Sequence, residues 1–411
     1  MESILEAREC KNSAITIAAY NSSEKLKKCA DIVCKGENDE IVIQNVIDKC
    51  ADEKKDIYLL NGTYHIDSFY DFGDGGPKTA LCFPNNKQEM LFEGQKKPYG
   101  KDSGVTLYVT SKALEQIDEG EYDVIRTTYT RCGLGNGSAL SIKNMNVSLS
   151  HNQKPIRGID LRRCDRPELK NVGMFAYRDM PAGLGKPPAV PVEGCIGLTM
   201  TDGSNAHYSN YTNVNTSGFY EGIQVGGEHV VMINCAAIMN YYGYTFGNYE
   251  INCGANHPIT MINCMDERNV NLPLFNNCGD SDAKGNRMQG NQEVTMISFN
   301  IEHIAEQSPG MVHGHRMKEV YPGTWKGNID FTIQPAWNHL NTEDFQLWEN
   351  DGSGTGFKTR NNCHKLICTT KERISYYPTY GQQIFDTDLN KMLICIDPAN
   401  KKWVDYNGNE V

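Results

Sequence analysis

Short phrases recur through the middle of the chain in a form that few folds can use. Ile-Lys-Asn-Met at 142–145 returns as Leu-Lys-Asn-Val at 169–172, Tyr-Thr-Asn-Val at 211–214, Met-Ile-Asn-Cys at 232–235 and again at 261–264, and Met-Ile-Ser-Phe at 296–299. A second phrase interleaves with the first: Gly-Ile-Asp-Leu at 158–161, Gly-Leu-Thr-Met at 197–200, Gly-Ile-Gln-Val at 222–225 and Gly-Tyr-Thr-Phe at 243–246. Intervals of about 21 to 42 residues suit one solenoid coil carrying loop insertions. In such a coil Gly opens a bend, and alternate apolar residues (Ile159 and Leu161, Leu198 and Met200, Ile223 and Val225) turn inward. The repeated Asn144, Asn171, Asn213, Asn234 and Asn263 suit an internal ladder of stacked amides. The pattern predicts an all-β chain folded as a right-handed parallel β-helix, rather than a β-sandwich whose turns happen to coincide.

Composition agrees. The 411 residues include 38 Gly and 21 Tyr, with abundant Asn and Thr and little Leu, a mix that favours short strands and tight turns. A formal net charge of −11 repels phosphate backbones and anionic headgroups, so neither nucleic acid nor a membrane surface is an expected partner. No apolar run approaches the length that spans a bilayer, and the N-terminus lacks the layout of a signal peptide. The expected location is the cytoplasm, a phage virion or a prophage product. The 15 cysteines include no CxxC pair and read as buried free thiols.

At the N-terminal end, Ser22 or Ser23 is expected to cap a helix through Leu26, Ala30 and Val33. Asn38 and Asp39 cap a second, with Ile41, Val42, Val46 and Ile47 on one face. Strands at 57–60 and 63–66 flank Asn61-Gly62. The stretch from Ile15-Thr-Ile-Ala-Ala-Tyr20 through Ala30-Asp-Ile-Val-Cys34, Gly36-Glu-Asn-Asp-Glu40 and Ile43-Gln-Asn-Val-Ile-Asp48 to Tyr58-Leu-Leu-Asn-Gly-Thr-Tyr64 resembles the entry segment of pectate-lyase-like β-helix proteins. Members similar to it occur in bacteriophage tails and among bacterial carbohydrate-active enzymes. The resemblance implies that the first helix closes the open end of the coil stack, that the ligand is an oligo- or polysaccharide, and that the assembly is a homotrimer. Residues 383–387, 391–396 and 402–406 read as short strands of a small β-meander, and Tyr380-Gly-Gln-Gln-Ile-Phe-Asp-Thr387 with Trp403-Val-Asp405 resembles C-terminal modules of phage tail proteins. The expected organisation is therefore 1–70 for the helical cap and first strands, 71–335 for the coils and 336–411 for the meander, the last packing on the helix end or at a subunit interface.

Alternation places Asp160, Arg162, Thr199, Thr201, Gln224 and Thr245 on the outer face of one sheet, continued by His313 and His315. Rungs about 4.8 Å apart would make these a solvent-facing track matched to a sugar chain. Tyr208, Tyr211, Tyr220, Tyr241, Tyr242, Tyr244 and Trp325 are candidates to stack on sugar faces. Glycoside hydrolysis needs two carboxylates, and strand ends offer Asp202, Glu221, Glu228, Glu250, Asp266 and Glu267. Asp202, Glu221, Asp266 and Glu267 are the leading catalytic candidates. Asp160, Arg162, Thr199, Gln224, Thr245, Arg268, Tyr220 and Tyr242 are expected to bind substrate, with Arg268 steadying a neighbouring acid.

Other motifs carry less. Arg162, Arg163, Arg166 and Lys170 would serve a uronate lyase, but no acidic Ca²⁺ cluster accompanies them. Asp280-Ser-Asp282 lacks the ligands of a Ca²⁺ loop, and His313-Gly-His315 lacks a third metal ligand. No cofactor or metal is implied. Three functions remain open: a glycosidase or intramolecular glycosyl or fructosyl transferase using a carboxylate pair, a polysaccharide lyase, and a phage-tail-like protein that binds glycan without cutting it.

Overall fold

The structure is a computed structural model. It describes residues 14–84, 89–101, 103–129, 139–180, 189–200, 208–246, 257–269, 274–275, 294–303, 316–318, 327–335, 346–349, 358–361, 367–375, 383–397 and 399–411. The chain divides into two compact units, Met1–Arg360 and Asn361–Val411.

The first unit is a parallel β-helix. A long sheet runs through Ala14–Ala18, Asp56–Leu59, Glu89–Gly94, Ala139–Leu149, Glu168–Phe175, Asn210–Ser217 and onward to Val294–His303 and Gly327–Pro335. A seven-stranded sheet stacks Lys78–Phe83, Tyr122–Thr127, Arg157–Asp160, Ile196–Thr199, Glu221–Val225, Tyr242–Phe246 and Leu274–Phe275. The neighbouring strands named here pair in parallel. The recurring phrases are the rungs. Ile142, Leu169, Tyr211, Met232, Met261 and Met296 lie in register, as do Ile159, Leu198, Ile223 and Tyr244. Apart from Met296, of which only the register is described, these apolar positions point inward and, with Val147, Met174, Val214 and others, form one continuous core.

The asparagines explain the shape of the coil. Asn144, Asn171, Asn213, Asn234 and Asn263 all have φ between 52° and 58°. This left-handed conformation suits Asn better than most side chains, and it bends the long sheet so that the residues on both sides of the corner still face the core. The expected ladder exists: Asn171 Nδ2 donates to Asn144 Oδ1 at 2.8 Å, Asn213 Nδ2 to Asn171 Oδ1 at 2.9 Å, and Asn263 Nδ2 to Asn234 Oδ1 at 2.8 Å. It runs along the outside of the corner, half-buried or exposed, rather than inside the coil. A left-handed residue reverses the side-chain phase, and the inner positions belong to the flanking apolar residues.

Gly158, Gly197 and Gly222 do more than open bends. A Cβ on Gly197 would lie 2.5 Å from the Gly222 carbonyl oxygen, and one on Gly222 would lie 2.7 Å from that of Gly243. The glycines let adjacent backbones press together at one corner.

At the N-terminal end the first helix is shorter than expected. Ser23 caps Glu24–Lys27, and Ile32–Val33 instead pairs as a strand with Ile17 and Ala18. The second helix, Asp39–Glu53, buries Ile43, Val46, Ile47 and Cys50, leaving Ile41 exposed. Its start is tied by side chains, since Asp39 accepts from the amides of Gly36 and His65. Cys34, Cys50, Cys82, Cys164, Cys195, Cys235, Cys264 and Cys395 are free and buried, and Cys29 is free and exposed.

The second unit is a small sheet. Gln383–Asp386, Lys391–Asp397 and Lys402–Asp405 form an antiparallel meander, and Ile367–Cys368 adds a parallel edge. Ile384, Leu393, Cys395 and Trp403 are its core. A buried pair, Arg373 Nε to Asp386 Oδ2 at 2.9 Å, ties the helix Thr370–Ser375 to the sheet.

Candidate functional site

The outer face of the seven-stranded sheet is not the open track that alternation suggests. Asp160 and Arg162 are 2% exposed, Thr199 0%, Gln224 5% and Thr245 6%. Their contacts are internal. Arg162 makes a bidentate pair with Asp160 (Nη2 to Oδ2, 2.7 Å) and reaches Glu121 at 3.1 Å. Arg157 reaches the same Glu121 at 3.0 Å, and Arg126 pairs with Asp74 at 2.7 Å. Burial opposes the ionisation of Asp74 and Asp160, yet arginine contacts hold Asp74 at about 2 and lower Asp160. Asp123 differs. Complete burial, then the charge of Asp160, raise its pKa well above the usual carboxylate range, against the opposing pull of Arg157, Arg162 and Arg126. This network fastens residues 74–77 and 118–121 onto the sheet.

Among the described catalytic candidates, Glu221, Asp266 and Glu267 occupy three different settings. Asp202 lies outside the described residues, as do Glu250, Asp280, Asp282, His313, His315 and Trp325. Asp266 points into the core. It shares a column with Ala237 and Thr216, its Oδ2 touches the place where a Gly243 Cβ would be, and Asn269 Nδ2 donates to its Oδ1 at 2.8 Å. Burial pushes its pKa up to about 7 against that hydrogen bond. Glu267 faces outward from the long sheet, beside Arg268 Nε at 3.1 Å. Arg268 itself sits at a left-handed corner with φ 54°. Glu221 belongs to the other sheet. Tyr211 and Tyr244 are fully buried core residues and present no ring to solvent.

One group of expected residues does converge. Glu221 opens the strand Glu221–Val225, and its register neighbour is Tyr242. Gln224 Nε2 donates to Glu221 Oε2 at 3.0 Å while its own Oε1 accepts from Thr199 Oγ1 at 2.8 Å, so the buried polar column orients Glu221. Tyr220 and Tyr241 stack with centroids 4.8 Å apart and planes 7° apart, and Tyr242 meets both edge-on at 5.8 and 5.0 Å. All three rings are half-buried. Burial, then neighbouring Tyr242, Glu193, Tyr241 and Glu221, push Tyr220 up to about 12. Burial and the same surroundings raise Tyr242. Glu193, exposed in the turn before Cys195, is a second carboxylate whose charge acts on Tyr220 and Tyr242. No motif marks it, and only its place in the loop entering the rung at 196 could have drawn notice.

Farther along the same sheet lies a cleft of about 400 Å³, lined by Asp71, Gly75, Lys78, Asp118, Glu119, Gly120, Glu121, Tyr122 and Tyr129 among others. No group of three or more metal-ligating side chains occurs among the described residues, and none of the described helices is long and apolar enough to cross a membrane.

Fold and site together define the class: a parallel β-helix with an acid-flanked tyrosine surface at one sheet edge. No protein-family model matches the chain, and no curated protein sequence does. Solved structures with a similar course include Bacteriophage CBA120 tailspike protein 3, at 12% identity and TM-score 0.21 over 90% of this chain and 67% of that one. Geobacillus virus E2 ORF18 matches at 10% identity and TM-score 0.34, over 99% and 87%. The Agl-KA catalytic domain matches at 13% and 0.22, over 80% and 66%.

Proposed function

We propose that this protein is a carbohydrate-active β-helix that binds a glycan on Tyr220, Tyr241 and Tyr242 and hydrolyses it with Glu221 and Glu193. The observation that carries the reading is the Tyr220–Tyr241 stack with Glu221 in register with Tyr242 beside it, and the charge of Glu193 also acts on Tyr220. Flat phenol faces with polar rims take the apolar face of a sugar ring and leave its hydroxyls to carboxylate acceptors. A carboxylate pair is the minimum machinery for glycosidic cleavage, one member protonating the leaving oxygen and the other serving water or carbon. Gln224 supplies the orientation that Glu221 needs for either role.

The uronate-lyase reading loses support at Arg162, one of the cations it would use, which is committed to buried ion pairs with Asp160 and Glu121. Binding without cleavage keeps one specific support, the internal bonding of Glu221 to Gln224. The functional unit is proposed to be a homotrimer, carried by a phage virion or encoded by a prophage.

A panel of neutral, amino-bearing and uronate polysaccharides, assayed for retention and for new reducing ends, tests the proposal. Retention with release that disappears in Glu221→Gln and Glu193→Gln is expected. Release that survives in both variants removes the catalytic assignment, retention without release selects the binding-only reading, and no retention removes the whole.

A further inference from the structure

The tyrosine surface and the cleft lie along the same side of the seven-stranded sheet, where its strands begin. Thr79, Asp123, Arg157, Ile196, Glu221 and Tyr242 form one row of register partners across six rungs. Lys78 and Tyr122, which line the cleft, immediately precede the first two members of that row. Tyr220 and Tyr241 immediately precede the last two. Asp123 and Glu221 are three rungs apart, so about 14 Å separates the two patches along the stack. Between them the row holds Arg157 and Ile196, which are 5% and 2% exposed and offer a ligand little contact.

Resting on the glycan reading above, we infer that the ligand bridges these two patches, and that it is an uncharged glycan of about five sugar residues or more, one ring advancing about one rung. The cleft has the volume of a sugar subsite. Its wall sets Asp71, Asp118, Glu119 and Glu121 against Lys78, whose ammonium is already engaged by Tyr122 Oη at 3.1 Å and Asp118 at 3.7 Å. A polyanionic chain would be repelled there. Two patches with a contact-poor gap act as a bivalent receptor. Affinity then depends on whether the chain is long enough to occupy both, because the second contact becomes intramolecular once the span is met. The consequence is a step in affinity with chain length rather than a steady rise.

The test uses the full chain and size-fractionated oligosaccharides made from whichever polysaccharide the panel retains. Calorimetry should give a nearly constant Kd up to about four residues, then a gain of at least about tenfold by about six. Gly120→Trp should fill the cleft and abolish the step while leaving the Kd of short fragments unchanged. A Cβ at Gly120 meets only Tyr122 Cε2 at 3.7 Å and Asp118 Oδ1 at 3.8 Å, ordinary contacts that leave the backbone unstrained. If Gly120→Trp lowers the melting temperature, Glu119→Trp on the exposed cleft rim replaces it. A smooth gain with length, or a step that persists in the blocked variant, overturns the bridging inference while the tyrosine site stands. Retention of a uronate polysaccharide alone overturns the charge assignment. Retention of nothing overturns both this inference and the reading it rests on.

Discussion

Tyr220 and Tyr241 lie face to face on successive rungs, 4.8 Å apart and 7° from parallel, because the backbone amide of Tyr241 donates to Phe219 and that of Tyr242 to Tyr220, at 2.9 and 2.8 Å. The rungs, not the rings, set the spacing. Tyr241→Ala removes one half of the platform without touching the core. The expected loss is about 1–1.5 kcal/mol of glycan binding, roughly tenfold in Kd by calorimetry. Unchanged affinity would place the glycan elsewhere.

The amide ladder makes a prediction about stability. Asn171 both donates to Asn144 and accepts from Asn213, at φ 56°. Asn171→Ala loses both bonds and puts an alanine in a left-handed conformation, for a cost of about 2–4 kcal/mol. Asn171→Gly keeps the backbone free and loses only the bonds, so it should fall between Ala and the parent protein. The order of midpoints in denaturant is the check. Ala and Gly melting together would remove the backbone contribution.

Asp266 predicts a pH dependence with a definite sign. Burial raises its folded pKa to about 7 from the ordinary aspartate value near 3.8. The unfolded chain therefore gives up this proton first, and the contribution of Asp266 is full below about pH 4 and lost as pH rises towards 7. The span corresponds to about 4 kcal/mol. Asp266→Asn should flatten this part of the stability profile and raise the melting temperature at pH 8 relative to the parent. A parallel profile in the variant would show that Asp266 does not titrate in this range.

The buried pair of Asp160 with Arg162 tests the network under residues 118–121. Arg162→Met strands a carboxylate that is 2% exposed and should destabilise by about 3–5 kcal/mol, whereas Arg162→Met with Asp160→Leu should recover most of the loss. Denaturant midpoints of the two variants distinguish an ion pair needed for packing from one that stabilises in its own right.

The rungs were readable in the sequence because each obeys a local rule: Gly at the crowded corner, Asn at the left-handed corner, apolar residues alternating between them. What covers a rung is not local. Asp160, Arg162, Thr199, Gln224 and Thr245 occupy the outer phase as expected, yet all are buried, and alternation only tells in from out. Asp266 escapes the alternation rule for a different reason. Aligning Ala236-Ala-Ile238 with Met265-Asp-Glu267 after the two Ile-Asn-Cys phrases puts Asp266 opposite Ala237, an inward position, but a lone acidic pair looks like a turn. Glu193 belongs to no repeat, and proximity in space is its only signal.

The glycine row has an implication for how such a chain can vary. At Gly158, Gly197 and Gly222 the next strand's carbonyl stands where a methyl group would go. Loops between rungs can lengthen, as the uneven intervals attest, while the rungs themselves keep their register. A single added carbon on this row would wedge two turns of the spiral apart, and every turn beyond it would be displaced. Diversity in this architecture should therefore collect in the loops, with the row itself nearly immutable.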